Sequence, residues 1–368
     1  MSETATVALA RCGTGDGPEL VHRAFDVAGL AGCIDSGDLV ALKMHFGEGS
    51  NTQVIPPKLV AAAVEKVKEA GGRPFVTDAN TIYRGQRSNA VDHLECAFRH
   101  GYVPEALGAP LIIADGLRGR SFVEVPVPGG RRSSSAKLAA EIYHADAVIA
   151  LTHVTGHGMF GLAGAIKNLG MGSGSRGGKQ MMHSDVKPTP NHEKCTGCRV
   201  CSRYCPQDAI SYPGPAGKAV IDHGKCSGCG ECVAMCPAQA IAINWGEAVG
   251  CQERTAEFCA ALMHNRVEKF GFMNFLITVS PGCDCMNHPG DPFISDVGIA
   301  ASRDIVAVDL ATARLVNEAV ATAGSKAAGA RPGEDKFRLL YPDVDWEVQI
   351  RRMLELGIGS RDYQLVEA

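Results

Sequence analysis

The reading turns on three consecutive stretches, D-L-V-A-L-K-M-H (Asp38 to His45), P-K-L-V-A-A-A-V-E-K-V-K-E-A (Pro57 to Ala70) and P-F-V-T-D (Pro74 to Asp78). The first and last are short runs rich in β-formers. The middle one repeats Ala, Val and Lys at helical spacing. Strand, amphipathic helix and strand in that order form a βαβ unit, which pairs its two strands in parallel. The same alternation continues outward. Val7 to Ala10 predicts a strand and Glu19 to Ala28 a helix. A helix follows at Asn89 to His100, with strands at Pro110 to Ala114 and Phe122 to Val127. A helix around Ala136 to Tyr143 leads to a buried strand at Ala147 to Thr152. Farther on, Glu253 to Phe270 predicts a helix, Asn274 to Val279 a strand and Ile305 to Val320 a helix. Gly324 to Asp335 reads as a surface linker, Trp346 to Leu356 as a helix and Tyr363 to Val366 as a last strand. The fold class expected is α/β, with a mainly parallel central sheet flanked by helices.

Between these halves lies a cysteine block. K-C-T-G-C-R-V-C-S-R-Y-C-P-Q-D-A-I begins at Lys194 and K-C-S-G-C-G-E-C-V-A-M-C-P-A-Q-A-I at Lys225; the two agree at nine of seventeen positions. The spacing C-x2-C-x2-C-x3-C-P is that of two-cluster iron–sulfur proteins, in which the fourth cysteine of each run serves the other cluster. The expectation is two 4Fe-4S clusters, one on Cys195, Cys198, Cys201 and Cys236 and the other on Cys205, Cys226, Cys229 and Cys232. Zinc uses single four-cysteine sets, and disulfides need an oxidising compartment that nothing in the chain implies. This block, residues 188–246, reads as an inserted α+β ferredoxin-type domain. Residues 1–187 plus 247–368 then form the α/β domain.

The 368 residues are 45% hydrophobic and 21% charged, with net charge −4. That balance excludes a nucleic-acid or polybasic membrane footprint. The N-terminus lacks a secretory pattern and no apolar run is long enough to span a bilayer, so a cytoplasmic location is expected.

Polar residues gather at strand ends, where open α/β sheets bind ligands. Lys43 and His45 close one strand, Asp78 and Asn80 another, and His153 and His157 a third. Any one of these histidines taken alone is equally a hydrogen-bonded core residue. The run Gly161 to His183 opens like a helix bearing Lys167 and turns glycine-rich around Arg176 and Lys179. It is not a Walker A loop, because Ser173 and Gln180 occupy required Gly and Ser/Thr positions. His153, His157 and Lys167 are the candidate catalytic groups. Lys43, His45, Arg176, Lys179 and His183 are candidates for holding an anionic small molecule or cofactor. Cys283 and Cys285, two apart, point the same way in an extended segment and suit one further metal or a redox pair.

With these motifs together, K-M-H-F-G-E, V-T-D-A-N, H-V-T-G-H with G-L-A-G-A-I-K-N-L-G-M-G, C-D-C, and D-V-G-I-A-A-S-R-D-I-V-A-V-D, the chain resembles the family called domain of unknown function 362. That resemblance implies an α/β domain commonly carrying a ferredoxin-type insertion. A fainter likeness, at the level of fold, is to the nickel-dependent lactate racemase family, where a glycine-rich segment presents a lysine as Lys167 is presented here. The function expected is electron transfer, two clusters passing low-potential electrons to a site in the α/β domain or to a redox partner protein. The alternatives are a binding module that docks a partner enzyme, and a non-redox metalloenzyme of isomerase or racemase type with structural clusters.

Overall fold

The computed structural model describes residues 4–13, 17–83, 85–183, 187–226, 231–242 and 248–368. Its frame is an eight-stranded sheet. The strands are β1 (Ala5–Arg11), β2 (Leu39–Lys43), β3 (Arg73–Asp78), β4 (Leu111–Ile113), β5 (Ala147–His153), β6 (Phe270–Leu276), β7 (Gly298–Ser302) and β8 (Tyr363–Glu367). They lie in the order β8-β1-β7-β6-β5-β2-β3-β4. Strand β7 is antiparallel to both of its neighbours, and every other pairing is parallel. The chain is therefore an α/β fold, as the βαβ pattern requires, with one reversed strand.

Alternate residues of the central strands enter opposite cores, the period-2 behaviour of a sheet covered on both faces. Val7 and Leu9 join one cluster with Val148 and Ala150, while Ala8 and Ala10 join the other with Ile149 and Leu151. Helices α1 (Gly17–Val27) and α2 (Pro57–Glu69) cover the second face. The first is covered by α3 (Ala165–Gly172), α5 (Ala248–Met263), α6 (Ile305–Glu318) and α7 (Glu347–Glu355); α4 (Arg176–His183) packs beside α5. Small residues let α3 approach α5 closely: a Cβ at Gly170 would collide with the backbone oxygen of Thr255.

Two expectations shift. Residues 135–139 form a strand paired with Phe122–Pro126 in a separate hairpin, and only Ala140–His144 is helical. The expected helix at Glu253 to Phe270 runs instead from Ala248 to Met263, and Phe270 already begins β6.

The cysteine-rich segment forms short ribbons, Thr189–Pro190 with Ile241–Ala242 and Ile210–Ser211 with Val220–Ile221. Cys195, Cys201, Cys232 and Cys236 share one small hydrophobic cluster with Ile82 of the α/β part, so the expected distinct ferredoxin-type insertion domain is not seen among the described residues. A buried ion pair, Arg176 Nη1 to Glu231 Oε1 at 2.7 Å, ties the segment to α4.

Candidate functional site

Strands β2, β3, β5 and β6 are mutually parallel or in line, so their carboxyl ends open on one edge of the sheet. A cavity of about 590 Å³ lies there. Lys43, the last residue of β2, is 1% exposed and donates to Asn168 Oδ1 at 2.6 Å; Asp78 Oδ1 lies 3.3 Å away. Asp78 closes β3 and also faces Arg87 at 3.4 Å, while Arg87 Nε meets Glu48 at 3.1 Å and its Nη2 donates to Tyr83 at 2.8 Å. Two buried cations and two buried acids thus pair off. Burial alone would raise the Asp78 carboxyl, but Lys43 and its other neighbours hold it well below the usual carboxylate range.

Lys167 is different. It is the third residue of α3 and lines the cavity, and among the described residues it makes no hydrogen bond or ion pair. Burial first, and then the charges of Lys43 and Arg87, bring its ammonium down to about 8 despite Asp284 and Asp78. Helix α3 is held in place from beneath. Asp309 of α6 accepts the backbone N–H of Ala165 at 2.7 Å and of Ile166 at 2.9 Å, and Asn274 Nδ2 donates to it at 2.8 Å. These are first-turn amides that no intrahelical carbonyl satisfies. Burial lifts the Asp309 carboxyl to about 6.

Lys179 also lines the cavity, but its Nζ donates to the carbonyl of Gly174 at 2.6 Å, near the end of α3; burial brings it to about 8. Arg176 does not line the cavity: besides its pair with Glu231 it donates to the carbonyl of Thr81 at 3.1 Å.

The four histidines at the cavity divide sharply. His45, just past β2, accepts the N–H of Gly47 on Nδ1 at 2.9 Å. His157 accepts the N–H of Met159 on Nδ1 at 3.1 Å. Burial, followed by Arg87 for His45 and by Lys167 for His157, pushes both rings well below the ordinary histidine value. His183, at the end of α4, is brought to about 3 by burial and then by Lys167 and Lys179. His153 goes the other way. Its Nδ1 lies 2.7 Å from Asp284 Oδ1 and its Nε2 2.9 Å from the carbonyl of Ile277, so both nitrogens face acceptors. Burial opposes the charged ring, but Asp284, the carbonyl of Ile277 and Asp296 together raise its pKa. His153 is thus a clamp that fastens the C-D-C loop to the end of β5.

That loop brings Cys283 and Cys285 to the cavity wall, where they form a disulfide. With His157 they place three metal-capable atoms within 4.8 Å of one another.

Residues 40–314 match the family described as Domain of unknown function (DUF362). The chain belongs to the DUF362 family. A thylakoid-associated protein, sll1697, of Synechocystis sp. is 28% identical over 156 residues, 39% of this chain and 41% of that protein, so the chain spans about two fifths of that relative's length. The lactate racemase apoprotein from Thermoanaerobacterium thermosaccharolyticum superposes over 85% of this DUF362 chain and 58% of its own, with a TM-score of 0.41 and 10% identity. Among the described residues no helix is long and apolar enough to cross a membrane.

The expectation of two 4Fe-4S clusters, and with it that of a ferredoxin-type electron-transfer protein or iron–sulfur oxidoreductase, is corrected for this DUF362 chain. Among the described residues, His157, Cys283 and Cys285 are the one group of three with metal-capable atoms gathered within 4.8 Å. The described residues of the duplicated motif supply none. Cys195, Cys198, Cys201 and Cys236 border one small hollow and Cys205, Cys226 and Cys232 another, while Cys229 lies outside the described residues. Several of these sulfurs are engaged by the fold. Cys201 Sγ is 3.2 Å from the Tyr212 hydroxyl, and Cys205 and Cys236 accept the N–H groups of Ala209 and Ala240 at 3.3 and 3.2 Å.

Sequence reasoning missed Asn168, Asp284, Arg87 and Asp309. Asp309 carried a signal: a lone acid within I-V-A-V-D-L-A, on a helix otherwise apolar there.

Proposed function

We propose that the cavity is the active site of a non-redox enzyme of the isomerase kind, acting on a small carboxylate that carries an enolisable carbonyl. The observation that carries this reading is Lys167, a lysine unpaired among the described residues, in a cavity whose other described cations have partners. A lysine near 8 is a general base poised at working pH. Its neutral amine takes the proton from the carbon beside the carbonyl. The C–H electron pair becomes the enolate double bond, and the carbonyl π pair moves onto oxygen. Return of the proton from the ammonium to the opposite face of that same carbon, with the oxygen's pair falling back to restore the carbonyl, completes the isomerisation with no net electron transfer. The excess of cations around the cavity favours an anionic substrate.

A second reading rests on His157, Cys283 and Cys285. Reduced to thiols, the two cysteines offer a sulfur-and-imidazole set suited to a borderline divalent ion such as zinc, with one position open. Such an ion supplies Lewis-acid polarisation of a bound carbonyl. The joined sulfurs withhold that set until the disulfide is opened.

The experiment is solvent hydrogen exchange. Small 2-oxo and 3-oxo carboxylates incubated with the protein in deuterium oxide gain deuterium beside the carbonyl, read by proton NMR. The Lys167→Met protein gives only the uncatalysed rate. Exchange that is indifferent to Lys167 but requires added zinc and a reductant supports the second reading instead.

A further inference from the structure

We propose that His45 and His157 are neutral Nε2–H donors that bind the oxygens of an anionic substrate in this cavity, and that His157 is not a metal ligand. This rests on the isomerase reading and names the groups that would stabilise its enolate.

Each ring follows the carboxyl end of a central strand, and each spends Nδ1 on the backbone N–H two residues farther on, Gly47 at 2.9 Å and Met159 at 3.1 Å. A nitrogen that accepts a hydrogen bond carries no proton. A neutral imidazole has one proton, which must then sit on Nε2. Two histidines on different elements of one cavity therefore share one tautomer, set by the same local lock. The contrast with His153 is direct, since its Nδ1 faces the Asp284 carboxylate and its Nε2 the carbonyl of Ile277, neither of them an N–H donor.

A metal-bound histidine ordinarily donates its second N–H to a carboxylate or carbonyl, which fixes the tautomer that frees the ligating nitrogen. The Nδ1 of His157 meets a donor instead, which is the opposite arrangement. For an oxyanion site the arrangement is right: the donor is fixed before the charge develops, and no reorganisation is needed. Burial and the neighbouring cations favour the uncharged ring in both cases, so neither histidine competes with Lys167 for the role of base.

The test uses the full chain labelled with nitrogen-15 in its histidine rings and oxalate as a planar dianionic probe. Peaks are assigned by their loss in His45→Phe and His157→Phe, and unchanged signals from the remaining histidines certify the fold. The expected spectra show Nδ1 bare and Nε2 protonated in both rings, and oxalate shifts both Nε2 signals. Each Phe variant weakens oxalate binding about tenfold or more, the loss expected when a hydrogen bond to a charged group is removed. His45→Gln and His157→Gln, which restore an N–H, recover part of it. The inference is overturned by a proton on Nδ1 of either ring, by oxalate binding to the Phe variants as to the parent, or by zinc stripping the Nε2 proton of His157 in the reduced protein. Rings that behave as expected in a protein whose carbon-hydrogen exchange ignores Lys167 would leave the donor pair standing and remove the isomerase reading. The reverse result removes only the donor pair.

Discussion

Asp309 accepts the backbone N–H of Ala165 at 2.7 Å, although 144 residues separate them in the chain. Helix α6 thereby fixes the first turn of the helix that carries Lys167. The position of the reactive amine is set by a carboxylate that never touches the cavity.

Gly164→Ala tests that anchor. A methyl group there would collide with the Asp309 carboxylate, and the two amides would lose their acceptor. Leaving a buried donor unsatisfied costs roughly 1–3 kcal/mol. Urea denaturation should show a loss of that order, and Asp309→Ala should show a similar one without adding to it. The carboxyl, lifted to about 6, also sets a pH trend. Between the unfolded carboxylate value and about 6 the native state holds the extra proton, so this group's contribution falls as pH rises through that window. Asp309→Asn should flatten that part of the stability profile.

His153→Ala should be among the most damaging substitutions away from Lys167. It leaves Asp284, 5% exposed, without its counter-charge. Breaking one partner of a buried pair costs on the order of 3–5 kcal/mol. The double variant His153→Gln with Asp284→Asn should recover much of the loss. The pair has its own pH signature. The folded His153 pKa is raised above the ordinary value, so its stabilisation is complete below that value and is lost as pH climbs through the raised one. Thermal unfolding followed from pH 6 upward should decline in the parent and less so in the double variant.

The α/β class was legible because β2, α2 and β3 follow one another with clean periodicity, and because polar residues closed each strand. Strand β7 was not legible. G-I-A-A-S has one β-branched residue and draws its strand character from burial between β1 and β6, which local preference does not encode. The cavity was legible through Lys43, His45, His157, Lys167, Lys179 and His183, all of which line it. Arg176 has the right composition and the wrong partner, since Glu231, 55 residues on, claims its guanidinium. The cysteine spacing pointed to clusters, whereas the described geometry gathers metal-capable atoms elsewhere, at a pair of cysteines whose histidine partner lies over a hundred residues away in the chain.

Arg176→Met should loosen the cysteine-rich segment from the rest of the fold. Glu231 would be left buried with Arg120, at 3.4 Å, as its one remaining cation partner among the described residues. Limited trypsin digestion should then cut at Lys194, Arg199 or Arg203 several-fold faster than in the parent, while the α/β core stays protected.

Gly172→Ala addresses the cavity floor. A Cβ at that position would drive into the Lys43 ammonium. Displacing it breaks the contacts to Asn168 and Asp78 and disturbs the balance of charge beneath Lys167. Oxalate should bind about tenfold more weakly, the scale of one charged hydrogen bond, and the melting temperature should fall as the buried Lys43–Asp78 pair is broken.

The most direct measurement is the pH dependence of deuterium uptake into the responsive oxo-carboxylate. The neutral amine of Lys167 is the active form, so the rate should rise with pH and level off above about 8, with no added reductant or electron acceptor. Lys167→Met should show neither the rise nor the rate. Uptake in Lys167→Met equal to the parent's, or uptake that appears only when an electron donor is supplied, would contradict the account.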